Sequence, residues 1–262
     1  QQAWYWTYTV NFVVAARGWA PYQFFGHLWT LSVEEQFYLV WPVVVLALGT
    51  ERLRRLCLVL VGAGLAFRIA TMYAGNEVAT DVLLFSNVDS LAMGALLAIH
   101  ARSGRPFDVR LARRATLWSP VALVSLFVIP IVVPHVSNIT WSLAPTVTMV
   151  GAAGLVVLGL TLPETSVYQR VTTWRPSIVL GDISYGIYVI HQPIIFLVVR
   201  GWGLDAQDLP AIGSWHLPGM LVVGVVSFAI TVVLAKLSSV LIEGPAARFR
   251  LSRPAVGRVP PA

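Results

Sequence analysis

Two polar clusters stand against the apolar background of this 262-residue chain. The first is HLWTLSVEEQFYLVWP, residues 27–42, in which His27, Glu34, Glu35 and Gln36 open what becomes an uninterrupted apolar run. A carboxylate in such surroundings must be paired, protonated or set in a wet pocket, and each state equips it for proton transfer or for holding a polar substrate. Ser32-Val33-Glu34-Glu35 has the S-x-x-E form of a capping box, which predicts that Ser32 and Glu35 satisfy free amides at a helix start. Glu34 is left over. At helical spacing it shares a face with Tyr38 and Trp41, and structural hydrogen bonding and site chemistry account for it equally well.

The second cluster is LGDISYGIYVIHQPIIF, residues 180–196. Ser184, Tyr188 and His191 follow i, i+4, i+7 and make one polar stripe in an apolar helix, which Pro193 should kink. A lone histidine there would be read as a packed, hydrogen-bonded core residue; tyrosine and serine on the same face make a catalytic role as plausible. A third pair, Arg68 and Asp89, falls at similar depth in two neighbouring spans, where ionisable groups raise a functional question by default. Against a direct ion pair, Arg68 lies roughly 200° around its helix from Ala66, on the side away from a small-residue stripe. His27, His100, His135 and His216 fall in a loop or at span ends and read as interfacial. No His, Cys or carboxylate spacing resembles a metal site, no glycine-rich phosphate loop follows a strand, and no G-x-S-x-G elbow occurs.

The elements that must position these groups follow from composition. The chain is 57% hydrophobic and 11% charged, with mean hydropathy +0.74, whereas soluble domains carry about a quarter charged residues. Apolar runs of about 20 residues, long enough to cross a bilayer, recur throughout. They predict an all-α, polytopic transmembrane bundle of about seven spans, near 31–50, 56–74, 82–100, 116–134, 142–161, 177–200 and 218–242, because lipid admits only backbones that satisfy their own hydrogen bonds. The expectation is a single membrane-embedded domain over 1–262 with a basic tail from 243. Gly62, Ala66 and Ala70, facing Ser90, Gly94 and Ala98, predict close packing of the second and third spans. The single cysteine, Cys57, excludes an internal disulfide framework.

Basic residues orient the bundle. One alternate set of loops, around residues 51–55, 102–114, 170–175 and 248–258, holds fourteen of the eighteen; the opposite loops hold only Arg17 and Arg200, while Arg68 and Lys236 fall within spans. The asymmetry puts the first set, and the C-terminus, in the cytoplasm of a multi-pass cell-membrane protein. It also accounts for the net charge of +6 without a nucleic-acid partner. The loop HARSGRPFDVRLARR, residues 100–114, is explained by topology alone, with a grip on a phosphorylated ligand at the inner face as the lesser reading. The opening QQAWYWTYTV has neither initiator methionine nor a basic n-region, so it reads as the middle of a longer protein rather than a signal peptide.

HLWTLSVEEQFYLVWP resembles the H-x-W-S-L-x-V-E-x-Q-F-Y-L-x-x-P signature of the membrane-bound acyltransferase 3 family, with Thr30 in place of serine, and GDISYGIYVIHQPI resembles its G-x-I-S-Y-x-I-Y-L-x-H-x-P element. NVDSLAMGALLA and IEGPAAR are similar to two weaker elements, although Asn87 stands where the family often has arginine. The resemblance implies an O-acyltransferase moving an acyl group, acetyl in the first instance, from acyl-CoA to a hydroxyl of a glycan or other exported acceptor at the outer side. No bound cofactor is implied; acyl-CoA is the donor substrate. Family members begin with further helices, the first carrying a histidine taken as the catalytic base, and nothing here matches that helix. The resemblance thus implies a C-terminal portion of such an enzyme. It brings His191 and Glu34 forward as catalytic candidates, and Gln36, Tyr38, Ser184, Tyr185 and Tyr188 as substrate-lining or helix-positioning ones; Arg68 and Asp89 join the substrate-lining set as ionisable groups within spans. The competing readings are a transporter, which also uses polar stripes and kinked helices, and a non-catalytic membrane scaffold.

Overall fold

The computed structural model describes residues 2–19, 24–133, 136–201 and 217–245. His135, His216 and the arginines of the tail from 248 onward lie outside the described residues. Within these residues every regular element is helical: α1 Ala3–Trp6, α2 Val10–Arg17, α3 Trp29–Ala47, α4 Thr50–Tyr73, α5 Glu77–Val82, α6 Leu84–Arg102, α7 Val109–Val132, α8 Ser137–Thr161, α9 Val167–Thr172, α10 Arg175–Asp182, α11 Ser184–Gly201 and α12 Leu217–Ser238. They gather into two units, Gln1–Thr172 and Thr173–Ala262.

Local chemistry sets the ends of the long helices. Gly75 and Gly104, at φ 78° and 69°, turn the chain out of α4 and α6 through the left-handed region that costs glycine least. Asn76 caps α5 by accepting from the Ala79 amide at 2.9 Å, and Asp108 caps α7 by accepting from the Leu111 amide at 3.0 Å. Glu51, in the first turn of α4, takes Arg54 and Arg55 at 2.9 and 3.0 Å.

Five helical stretches are long and apolar enough to cross a membrane: Thr50–Tyr73, Glu77–Arg102, Val109–Val132, Ser137–Thr161 and Gly219–Glu243. A sixth crossing is available if α10 and α11, bent by 71°, form one broken span. The expected seven therefore exceeds the count by one, or by two if the bent pair is not a single span. The surplus includes α3, a helix of 19 residues whose Ser32, Glu34, Glu35 and Gln36 dilute its apolar run.

In the first unit, α4 and α6 pack closely, but not through the expected stripes. Nothing lies within 4 Å of a Cβ built on Gly62 or Gly94, whereas one on Gly64 would meet the Asp89 Cβ at 2.9 Å. The buried face of α4 is Leu53, Cys57, Gly64, Arg68 and Met72, and that of α6 includes Ser86, Asp89 and Ala92. Burial of ionisable and small residues on one face, with Gly62 turned outward, follows from the cost of leaving Arg68 in lipid. Helices α7 and α8 meet through their small residues: a Cβ on Gly151 would strike Ser119 at 2.7 Å, and one on Gly154 would strike the Thr116 hydroxyl at 2.6 Å. Short α9 folds back on α8, the Tyr168 hydroxyl donating to the Leu155 carbonyl at 2.9 Å and the Gln169 amide to that of Gly159 at 2.7 Å.

In the second unit α11 pairs with α12, the Gly186 position lying against Ala235, where an added Cβ would come within 3.3 Å. Helix α12 ends in a π-helical turn, Ser239–Glu243, across which the Ser238 hydroxyl donates to the Glu243 carboxylate at 3.2 Å.

Candidate functional site

The α3 cluster differs from its sequence reading at the helix start. A 3-10 turn, Gly26–Leu28, leads directly into α3, and the N-cap is Leu28 with no side-chain cap. Ser32 and Glu35 therefore form no capping box. Ser32 is 1% exposed inside the second turn, its hydroxyl 3.5 Å from the Leu28 carbonyl. The turn before the helix already receives the chain in helical geometry, so no amide is left for Ser32 to cap.

Glu34, Glu35 and Tyr38 are exposed. Neither carboxylate has a partner among the described residues, so Glu34 is an uncommitted acceptor one turn from the Tyr38 hydroxyl. Gln36 points elsewhere. Its amide exchanges hydrogen bonds with buried Asn11 of α2, at 3.0 and 3.3 Å, and donates to the Tyr8 carbonyl at 2.8 Å. Phe37 stacks on Trp41 with ring centroids 4.7 Å apart. Gln36 and Phe37 thus hold α3 in place, while Glu34 and Tyr38 present free polar groups.

Arg68 and Asp89 do form an ion pair. Nη2 and Nη1 of Arg68 reach the two Asp89 carboxylate oxygens at 2.7 and 3.1 Å. The remaining donors go to the Ser142 carbonyl at 3.0 Å, the Thr146 hydroxyl at 2.5 Å and the Ser86 carbonyl. All five guanidinium N–H groups are thereby used. Arg68 is 1% exposed and Asp89 fully buried. Saturated and enclosed, the pair offers no donor to a substrate. In this arrangement it clamps α4, α6 and α8 together.

On α11 the Nδ1 of His191 lies 2.6 Å from the Tyr188 carbonyl. A carbonyl only accepts, so Nδ1 carries the proton, and in the neutral ring Nε2 holds the lone pair that a general base needs. The Tyr188 and His191 rings lie 5.7 Å apart. Because Gly186 faces α12, helical geometry puts Ser184, Tyr188 and His191 roughly 140–200° away, on the side of α11 turned from α12. Ser184 and Tyr185 are exposed; Tyr188 and His191 are half-buried.

Two cavities open among α6, α7 and α8. One of about 670 Å³ lies toward the end of the bundle that holds α5 and is lined by Asp81, Ser90, Gly94, Phe127, Trp141 and Thr148 among others. The other, about 880 Å³, lies under the α6–α7 loop and includes Arg54, His100, Ser103 and Arg105. Gly94, expected at a helix contact, instead walls the first. Sequence reasoning missed Asn11, Ser142 and Thr146, whose roles depend on partners 25, 74 and 78 residues away. The readable signal was Gly64, one helical turn before Arg68, which marks the packed face.

The helices and their embedded polar groups define a polytopic membrane protein with sites carried on its spans. Residues 1–236 match the acyltransferase domain family, and the chain belongs to that family. It is 24% identical over 240 residues to YrhL of Bacillus subtilis (strain 168), named as a candidate peptidoglycan O-acetyltransferase, covering 84% of this chain and 34% of that protein. It is likewise 24% identical to the O-acetyltransferase OatA of Staphylococcus aureus (strain NCTC 8325 / PS 47), over 84% of this chain and 35% of that one, and to the peptidoglycan O-acetyltransferase OatA of Listeria monocytogenes, over 84% and 34%. The chain thus spans about a third of the length of the curated relatives it matches. No solved structure matches it.

Proposed function

We propose that the protein transfers an acetyl group from acyl-CoA, supplied on the cytoplasmic side, to a hydroxyl of a peptidoglycan-type glycan outside, with its C-terminus in the cytoplasm. The observation that carries this reading is the family match over residues 1–236; the names of the relatives direct it to a cell-wall glycan. His191 Nε2 takes the proton of the acceptor hydroxyl as its oxygen bonds to the thioester carbonyl carbon. The carbon–sulfur bond then breaks, the thiolate is protonated, and an ester remains on the acceptor. Within the first unit, Glu34 with Tyr38 offers polar groups to a substrate from α3; within the second, Ser184, Tyr185 and Tyr188 offer theirs from α11 beside His191. Gln36, Arg68 and Asp89 position the helices.

The test is made with the full-length gene in a bacterium whose own wall O-acetyltransferase is deleted. Base-labile acetate released from purified wall should rise on expression, and should fall at least tenfold with His191→Ala at matched membrane abundance. Acetate that stays at the background level would remove the proposed activity; acetate undiminished by His191→Ala would remove that residue from it.

A further inference from the structure

The loop from His100 to Arg114 has no assigned duty beyond orientation, yet the inner cavity of about 880 Å³ opens directly beneath it. The walls are apolar, with Leu58, Leu96, Val150 and Val157 among them. The mouth is not. Arg54 sits there in its ion pair with Glu51, and Asp108 accepts from the Leu111 amide. His100 engages the Pro106 carbonyl at 3.2 Å. Arg105 differs from all of these: its backbone amide binds the Ser103 hydroxyl at 3.3 Å, but its exposed guanidinium has no partner among the described residues. An uncommitted guanidinium at the lip of an apolar chamber suits a ligand with a phosphate head and an apolar tail.

The chamber has a definite floor. Met93, Leu97 and Ala153 line both the inner cavity and the outer one, so they form the partition between the two.

We infer that the inner cavity binds an anionic, phosphate-headed amphiphile, with Arg105 holding the head and the Met93–Leu97–Ala153 partition limiting tail length. A coenzyme-A thioester and an anionic phospholipid of the cytoplasmic leaflet share this chemistry. In the first case the cavity is the donor's berth, and there the inference rests on the proposed reaction. Binding is measured without turnover, so the two fail separately.

The experiment uses the full-length protein in phosphatidylcholine nanodiscs, with CoA thioesters of 2 to about 16 carbons titrated by equilibrium dialysis and phosphatidylglycerol followed by native mass spectrometry. At least one should bind saturably, and Arg105→Ala should weaken it tenfold or more at every tail length while leaving thermal unfolding unchanged. Met93→Ala, by opening the partition, should move the preferred tail toward longer chains without changing the effect of Arg105. Saturable thioester binding identifies a donor site, and phosphatidylglycerol alone a lipid site; both support the inference. Absence of saturable binding by either, or an Arg105→Ala affinity within twofold of the parent, overturns it. An unaltered tail preference in Met93→Ala removes the partition.

Discussion

At the scale of single residues, the two carboxylates of α3 separate from each other only by face. Glu35 and Glu34 are both exposed and have no partner among the described residues, but only Glu34 stands one turn from Tyr38. Glu35→Gln should therefore be silent in stability and in acyl transfer. Glu34→Gln should leave membrane abundance intact and lower transfer by about an order of magnitude or more, the scale of losing a positioned polar group. Equal effects from both variants in a wall-acetate assay would show that Glu34 has no special duty. Ser32 supplies a control, since it caps nothing: Ser32→Ala should cost under about 1 kcal/mol, within the range for one weak neutral hydrogen bond. The motif residues were legible in the sequence as types and spacings. Which of them point outward was not, because the start of α3 is decided by the turn before it rather than by Ser32.

At the scale of elements, long apolar runs identified the helices, but not the faces by which they pack. Two small-residue stripes are available on α4, and only the one through Gly64 carries a charge that must be removed from lipid. Gly64→Ala would push a Cβ to within 2.9 Å of Asp89 and should cost about 1–3 kcal/mol of overpacking. Gly62→Ala meets nothing within 4 Å and should be neutral, or stabilising by up to about 1 kcal/mol through helix propensity. Reversible unfolding in mixed micelles would compare them; a Gly62 effect as large as that of Gly64 would reverse the assignment of the packed face. Arg68→Met alone strands the Asp89 carboxylate and should cost about 3–5 kcal/mol, whereas the double change Arg68→Met, Asp89→Leu should recover much of the loss. Failure of the double change to recover any would mean that the other carbonyl and hydroxyl contacts dominate the clamp. Nothing local in the sequence announced those contacts, since Ser142 and Thr146 belong to a helix 74 to 78 residues downstream.

At the scale of the whole molecule, the distribution of arginine predicts which surface faces the cytoplasm. The α6–α7 connection and the C-terminus are expected in the cytoplasm. Cys57 is fully buried, so a Cys57→Ser background should cost little labelling signal, and a cysteine introduced at Ser103 then reports cleanly. Maleimide added outside intact cells should leave it unmodified, with labelling appearing after permeabilisation. Strong labelling from outside would invert the bundle and put the inner cavity on the wrong side for a cytoplasmic donor. Hydropathy counted α3 as a crossing although that helix is not apolar throughout. The bend of 71° between α10 and α11 was foreshadowed only in part: Pro193 was the expected kink, but the break falls at Ile183, before the polar stripe begins.

The saturated guanidinium of Arg68 has a consequence for biosynthesis. Its partners on α8 end at Thr146, 78 residues after Arg68 itself. At synthesis rates of about 5–20 residues per second, roughly 4–16 s pass in which Arg68 exists without them. During that interval the charge has Asp89 and Ser86 at best, and release of α4 into hydrocarbon is unfavourable. Helix α4 is therefore expected to stay beside the insertion machinery until α8 arrives, so that the clamp orders assembly as well as closing it. Nascent chains halted after α7 should crosslink to that machinery through α4 and be degraded quickly. Chains halted after α8 should have let go.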